Sequence, residues 1–130
     1  MTLATYLDHA LQTPFAWGEA DCALFAANWV KEARGLDGGA AFRGRYRTAM
    51  GCQRLLNRAG GLLVVFSEAA DGIGLERTCE PVAGDIGLIT CMTLRGPGTA
   101  ASICVGRRWI VRTINGLSSG LFAPIVAWRV

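Results

Sequence analysis

The hydrophobic pattern of this sequence changes near residue 80, and that change limits the possible folds more than any other feature. Up to about residue 75, apolar side chains recur at the three- and four-residue spacing of amphipathic helices. From residue 81 onward, short β-branched runs are separated by glycine, which is typical of antiparallel strands. This order predicts an α+β chain in which N-terminal helices, in about residues 1–75, pack on a C-terminal antiparallel β-sheet, in about residues 81–130.

Four helices are predicted in the first part of the chain. The second is the clearest, because apolar residues at helical spacing begin at Cys22, with Asp21 as a candidate N-cap and Gly35 as a stop. The fourth, over residues 62–70, starts with an apolar run that also suits a strand, so both alternatives stay open. The candidate N-caps of the first and third helices are Thr2 and Thr48.

The second part of the chain supplies the predicted strands. These are residues 86–91, 102–105, 109–114 and 123–128. The first of them is apolar on both faces, which indicates a buried, central strand, and the next two should form a hairpin. The glycine-containing stretches 95–99 and 115–120 are predicted to be turns or connections.

Cys22 is the candidate nucleophile. A thiol in the first turn of a helix meets unpaired backbone N–H groups and the positive end of the helix dipole, and both favour the thiolate. The competing interpretation is that Cys22 is a small hydrophobe packed in the core. The single histidine, His9, lies off the apolar stripe of the first helix, so it is expected on the exposed surface.

Length and residue usage exclude several classes of protein. A chain of 130 residues is long enough for one core and too short for two, so a single domain over residues 1–130 is predicted. No signal peptide and no membrane insertion are expected, because the chain lacks a basic leader and any long apolar run. Five widely spaced cysteines and one histidine argue against a metal site and a disulfide framework, and no cofactor is expected.

The formal net charge is +3, but its distribution is uneven. All ten acidic residues lie within residues 1–85, whereas residues 86–130 hold five arginines and no acid. The arginines are scattered and no nucleic-acid-binding motif accompanies them, so a solvated or protein-facing surface is favoured over a nucleic-acid partner. Hydrophobic residues make up 52% of the chain and charged residues 18%, which suggests that a partner covers some apolar surface.

Residues 17–22, Trp-Gly-x-x-Asp-Cys, are followed by an aromatic and aliphatic helix. This motif resembles the nucleophile motif of the NlpC/P60 cell-wall peptidases, which have a papain-like fold. With residues 43–47 (Arg-Gly-Arg-Tyr-Arg) and the glycine pair 60–61, residues 15–30 resemble more narrowly a group of small NlpC/P60-like proteins encoded in phage and prophage tail gene clusters. The resemblance runs from about residue 15 to the C-terminus and implies an α+β, papain-like fold.

The same resemblance locates the position of the general base. Residues 82–88 resemble the Gly-Asp strand of the family, and residues 100–106 match the segment that normally begins with the catalytic histidine. That position is Ala100 here, give or take one residue. The third polar residue of the family, which orients the histidine, would fall at Arg112 or Thr113, and neither is a usual residue for that role.

A missing histidine matters because a cysteine peptidase needs a base to form the thiolate and an acid to protonate the departing amine. A helix N-terminus supplies part of the first function and none of the second. Asp21 beside Cys22 is an incomplete catalytic pair. His9 would substitute only if the first helix placed it over Cys22.

Trp17, Arg43, Arg45 and Tyr46 are candidate binding residues. Residues 36–46 combine glycine, arginine and aromatic side chains, and they are either a ligand-facing loop or a connector whose arginines cap neighbouring helices. The aromatic side chains suit the lining of a groove, and they suit the core equally well.

The resemblance implies two classes of function. The favoured one is a structural or assembly component of a phage tail tip or baseplate, built on a degenerate and catalytically inactive NlpC/P60 fold. The alternative is an active cysteine peptidase or amidase that cleaves peptidoglycan during DNA delivery. The implied partners are the hub, distal tail and central fibre proteins, and peptidoglycan as a bound ligand. The implied location is the virion tail tip, after synthesis in the host cytoplasm.

Overall fold

The computed structural model describes residues 1–93 and 96–130. Four helices come first: α1 (Leu3–Gln12), α2 (Phe25–Arg34), α3 (Ala49–Arg58) and α4 (Leu62–Gly72). Five strands follow: β1 (Ile86–Thr93), β2 (Gly96–Cys104), β3 (Trp109–Thr113), β4 (Gly116–Gly120) and β5 (Pro124–Trp128). The predicted α+β order is confirmed, and the ambiguous run at the start of α4 is helical. Within the described residues, none of the helices combines the length and the apolar character that a membrane crossing requires.

The predicted helix caps are present. The side chain of Thr2 accepts the N–H of Thr5 at 3.2 Å, which satisfies one free donor of α1. The side chain of Thr48 does the same for α3, where it accepts the N–H of Gly51 at 3.0 Å. Gly35 ends α2 with φ of 69°, a left-handed conformation in which a Cβ would be strained.

The prediction that α2 begins at Cys22 is wrong. Regular helix begins at Phe25, and residues 22–24 form a turn. Asp21 still caps this turn, because its Oδ1 accepts the N–H groups of Ala23 and Leu24, each at 2.9 Å. An aspartate that bonds the backbone two and three residues ahead offers it an alternative to the helical ladder, which explains the later start.

The strands form one antiparallel sheet in the order β4-β3-β2-β1-β5. β1 is paired on both sides, and β2 and β3 form the predicted hairpin. Two predicted turns are strand instead: residues 96–99 pair with β1, and residues 116–120 pair with β3 as β4. Arg95, in the first of these predicted turns, lies outside the described residues. Backbone pairing with neighbouring strands outweighs the low strand preference of glycine and serine in both segments.

The sheet is curled, and the link between its two edge strands shows why. β4 and β5 occupy opposite edges, yet only residues 121–123 connect them. A flat sheet would place the edge strands about 19 Å apart, four spacings of about 4.8 Å. Four residue steps span at most about 14 Å, so the sheet must bend to bring its edges together.

The two faces of the sheet contact two apolar clusters. On one face, Leu88 and Ile103, both fully buried, pack with α2 and α4 in the main core. On the other face, Ile89 lies in a smaller cluster with Trp109. A Cβ at Gly87 would lie about 3.0 Å from the Trp109 ring, so the absence of a side chain there lets the indole lie against β1.

Asp85, in the segment that resembles the Gly-Asp strand of NlpC/P60 proteins, is almost fully buried directly before β1. Its carboxylate accepts the backbone N–H of Val82 at 2.9 Å and that of Val130 at 3.1 Å. The Nε of Arg129 donates to it at 2.9 Å. In this chain, Asp85 therefore fixes the C-terminal residues against the start of the sheet.

Candidate functional site

The turn before α2 is built around the carboxylate of Asp21, which is fully buried. Besides the two N–H groups ahead of it in the turn, the carboxylate accepts the N–H of Gly18 at 2.7 Å and the hydroxyl of Tyr46 at 2.6 Å. Four donors therefore converge on one side chain. A carboxylate that is paired in this way is held in place and cannot rotate toward a neighbouring group without losing several hydrogen bonds.

Cys22 follows Asp21 and is exposed, which contradicts the alternative that it packs in the core. Two main effects raise the pKa of the Cys22 thiol to about 11. The larger is the loss of hydration, because the sulfur lies against protein atoms, and the smaller is the negative charge of Asp21. Backbone N–H groups oppose this shift without overcoming it. The predicted activation of the thiol by a helix N-terminus is therefore wrong: the helix begins three residues later, and Asp21 occupies two of the N–H groups of the turn.

The position that resembles the catalytic histidine contains Ala100, whose side chain cannot act as a base. Ala100 lies in β2 opposite Ile89 and is one of the side chains packed against the smaller cluster. The alanine leaves this strand position without a group that can exchange a proton.

Arg112, at the position that resembles the orienting residue, has a structural role. It is buried, and it donates to the carbonyl oxygens of Ala10 and, at 2.7 Å, Thr13. Its guanidinium also lies 5.8 Å from the centre of the Phe15 ring. These carbonyls belong to the end of α1, where a cation also meets the negative end of the helix dipole. Arg112 therefore joins α1 to the sheet.

His9 is exposed on α1, as predicted. It lines a polar cavity of about 180 Å³ between α1 and α2, together with Asp21 and Arg112. Cys22 is not among the residues that line this cavity, and no hydrogen bond joins it to His9 in the described part of the chain. The structure does not bring the one histidine and the candidate nucleophile together.

The structure brings two of the predicted binding residues together, because the rings of Trp17 and Tyr46 lie 6.5 Å apart. Tyr46 is buried and donates to Asp21, whereas Arg45 is exposed. Trp17 is half-buried, with its ring 4.8 Å from that of Phe15 in an edge-on arrangement. No local pattern signals the hydrogen bond between Tyr46 and Asp21, since the two residues are 25 positions apart in the chain.

Arg43 favours the connector interpretation of the loop before α3. It forms a two-point ion pair with Asp37, with a shortest distance of 2.7 Å, and donates to Asn28 of α2 at 2.6 Å. Gly18 meets the same loop closely: a Cβ on it would lie 2.3 Å from the carbonyl oxygen of Tyr46, and its φ is +83°. Gly18 of the Trp-Gly motif is therefore required because the backbone of Tyr46 lies too close for any side chain at this position.

An apolar pocket of about 60 Å³ lies on the far side of this loop. Its lining comes from α2, α3, α4 and the glycine pair 38–39, and includes Leu24, Phe42 and Phe66. It offers almost no polar group to orient a substrate for hydrolysis, which requires positioned donors. Among the described residues, no group of three or more His, Cys, Asp or Glu side chains is arranged to hold a metal ion.

The fold and the site define a class: an α+β protein with an antiparallel sheet and an exposed cysteine before its second helix, where no side chain in the described part of the chain is hydrogen-bonded to the cysteine sulfur. The chain belongs to the family described as "Domain of unknown function (DUF6950)", whose model matches residues 1–130. Neither a curated protein nor a solved structure matches the sequence.

Proposed function

We propose that this protein is a structural or assembly component of a phage tail tip or baseplate, built on a degenerate NlpC/P60, papain-like fold that no longer catalyses hydrolysis. The observation that carries the proposal is the state of Cys22. The cysteine keeps the position of a nucleophile, yet its surroundings disfavour the thiolate, and the neighbouring Asp21 carboxylate is engaged by four other donors.

The size of the effect supports the loss of catalysis. With a pKa of about 11, roughly one Cys22 thiol in 10⁴ is ionised at pH 7, whereas activated cysteines have a pKa of about 3.5–7.5. Loss of a general acid–base group costs a further 10² to 10⁴ in rate, by order of magnitude. The first effect reduces formation of the thiolate and the second reduces proton transfer to the leaving group, so the two losses multiply in the rate of hydrolysis.

The association with a phage tail rests on the resemblance of residues 15–30, 43–47 and 60–61 to small proteins of tail gene clusters. The surface is consistent with a partner, because several large apolar side chains are exposed. Among them are Met50 at 63%, Ile114 at 68% and Leu121 at 72% exposure. A component of an assembly buries such side chains against its neighbours. The proposed neighbours are the hub, distal tail and central fibre proteins, and the proposed place is the virion tail tip.

A second candidate function is an active peptidoglycan peptidase or amidase. The observation that favours it is that Cys22, at the end of the Trp-Gly-x-x-Asp-Cys motif, is an exposed residue. In that case the missing base would have to come from His9 after a movement of α1, or from a partner protein.

Genetic complementation separates the two. The gene is deleted from the phage or prophage that encodes it, and tails are examined by electron microscopy after complementation with the wild-type chain or the Cys22→Ala variant. The proposal predicts incomplete tails in the deletion and normal tails with both forms. Complete tails in the deletion would contradict a structural role. If the wild-type chain restores infectivity and the Cys22→Ala variant does not, the result would support the peptidase.

A further inference from the structure

Residues 38–67 contain five arginines and no acidic residue, although this region makes up nearly a quarter of the chain. One of the five, Arg43, is neutralised by Asp37. The other four are exposed, and none of their guanidinium groups forms an ion pair or a hydrogen bond with the described residues. They are Arg45, Arg47, Arg54 and Arg58.

Two of these arginines, Arg54 and Arg58, share one face of α3 with Met50. The three residues are four apart within the helix, so their side chains lie in one row. All three are exposed, and the opposite side of α3 carries the buried Cys52. We call this row the α3 basic face. Arg47 lies just before the helix, next to its N-cap Thr48.

Folding alone does not account for the α3 basic face. Arg54 and Arg58 stand four residues apart, an arrangement in which like charges repel and mildly destabilise a helix. Nothing in the described part of the chain compensates the repulsion with a carboxylate. The charge is therefore available to a carboxylate-bearing surface outside the chain, which would gain contacts that the free protein lacks.

Exposed apolar side chains lie beside the same charges. Met50 is 63% exposed within the row, and Leu63 and Val64, at the start of α4, are 45% and 41% exposed. Only residues 59–61 separate α3 from α4, so these two side chains stand near the Arg58 end of the row. A nucleic-acid backbone has nothing to bury against such side chains, whereas an amphipathic protein segment has.

We propose that the α3 basic face, with Leu63 and Val64, binds an acidic amphipathic helix of a partner protein. The row from Met50 to Arg58 is about 12 Å long, eight residue steps of about 1.5 Å, which equals about two turns of a partner helix. Carboxylates four residues apart on that helix match the spacing of Arg54 and Arg58, and its leucines cover the apolar side chains. This proposal rests on exposure and charge alone and stands whether or not the protein functions in a phage tail.

The test measures binding of a synthetic helical peptide of about six turns, with glutamate at i and i+4 on one side and leucine on the adjacent side, by fluorescence anisotropy. The Arg54→Glu/Arg58→Glu variant should bind at least about tenfold more weakly than wild type. The matched control is Arg107→Glu/Arg108→Glu, in the exposed turn between β2 and β3, which changes the net charge equally. The control should lose less than about threefold.

A second variant, Met50→Ser, tests the apolar contribution without changing charge and should weaken binding several-fold. Circular dichroism confirms that each variant is folded, which the exposure of every substituted side chain leads us to expect. Equal losses in the two double variants, no effect of Met50→Ser, or no binding of the peptide would overturn the proposal. Tighter binding of a duplex DNA through the same arginines would overturn it as well, in favour of a nucleic-acid surface.

Discussion

At the residue scale, one side chain decides both the structure and the chemistry of the candidate site. Asp21 organises the turn before α2 by accepting hydrogen bonds from residues on both sides of it in the chain. The same carboxylate places a negative charge beside Cys22, which raises the pKa of the thiol, and it accepts two N–H groups of the same turn. A stable turn and an activated cysteine are therefore competing demands on Asp21, and in this chain the turn prevails.

The ionisation of Cys22 gives the first prediction at this scale. Burial of the sulfur and the Asp21 charge keep the thiol protonated, so alkylation by iodoacetamide should be slow at pH 7 and rise about tenfold per pH unit toward pH 11. The measurement is the labelling rate against pH in a Cys79→Ser/Cys91→Ser background, which leaves Cys22 as the exposed thiol. A midpoint below pH 8 would contradict the account.

Removal of the Asp21 carboxylate should destabilise the fold. Asp21→Ala leaves four donors without an acceptor, three of them backbone N–H groups, and the expected loss is about 3–5 kcal/mol in the free energy of unfolding. Tyr46→Phe is the matched control, because it removes one of the four bonds and should cost about 1–2 kcal/mol. Urea denaturation of the three proteins measures both values. Equal losses would mean that Asp21 acts through Tyr46 alone.

The sequence predicted part of this site. The exposure of His9 follows from local spacing, and the structure agrees. Local spacing also predicts Asp21 as the N-cap of a helix from Cys22, and this is only half right: Asp21 accepts backbone N–H groups as a cap does, but in a turn that precedes the helix start at Phe25. The pKa of the thiol depends on the hydration of the sulfur, and the burial of Tyr46 depends on a partner 25 residues away. Neither quantity is encoded in a local pattern, so neither was predictable.

At the element scale, the helices were easier to predict than the strands. Each helix has its own cap or periodic stripe, and Thr2, Thr48 and Gly35 mark boundaries in the sequence. β4 has the sequence Gly-Leu-Ser-Ser-Gly, which reads as a turn, and it is a strand only because β3 pairs with it. The strand depends on a neighbour rather than on its own residues, which is why sequence pattern missed it.

Arg112 is the contact that holds α1 to the sheet, and its removal should be costly. Arg112→Met keeps much of the side-chain volume but leaves the carbonyls of Ala10 and Thr13 without this donor, with an expected loss of about 2–4 kcal/mol. Hydrogen exchange should show that the amides of α1 lose the most protection. Uniform loss across the chain, or none, would contradict this role. Arg77→Met, at an exposed ion pair with Asp71, is the control and should cost much less.

At the scale of the whole molecule, the curled sheet joins two apolar clusters into one structure. Leu88 and Ile89 are consecutive in β1, both fully buried, and they face opposite sides of the sheet. The clusters therefore share a backbone, and neither can separate without breaking the pairing of β1 with its two neighbours. The helices and the sheet should unfold in one cooperative transition.

Leu88→Ala and Ile89→Ala test this cooperativity from the two faces. Each should cost about 2–4 kcal/mol, because each empties a buried site of similar volume. In both variants, unfolding followed by far-ultraviolet circular dichroism and by tryptophan fluorescence should give coincident curves. A first transition confined to one probe in Ile89→Ala would show instead that the smaller cluster opens on its own.

The central claim is that this fold holds a cysteine at the position of a nucleophile without performing hydrolysis. The most direct test is the release of muropeptides from purified peptidoglycan by the folded wild-type chain, with Cys22→Ala and His9→Ala alongside. The account predicts no release above the buffer control from any of the three. Release by the wild-type chain that disappears with Cys22→Ala would contradict the account and make this protein a working cysteine peptidase.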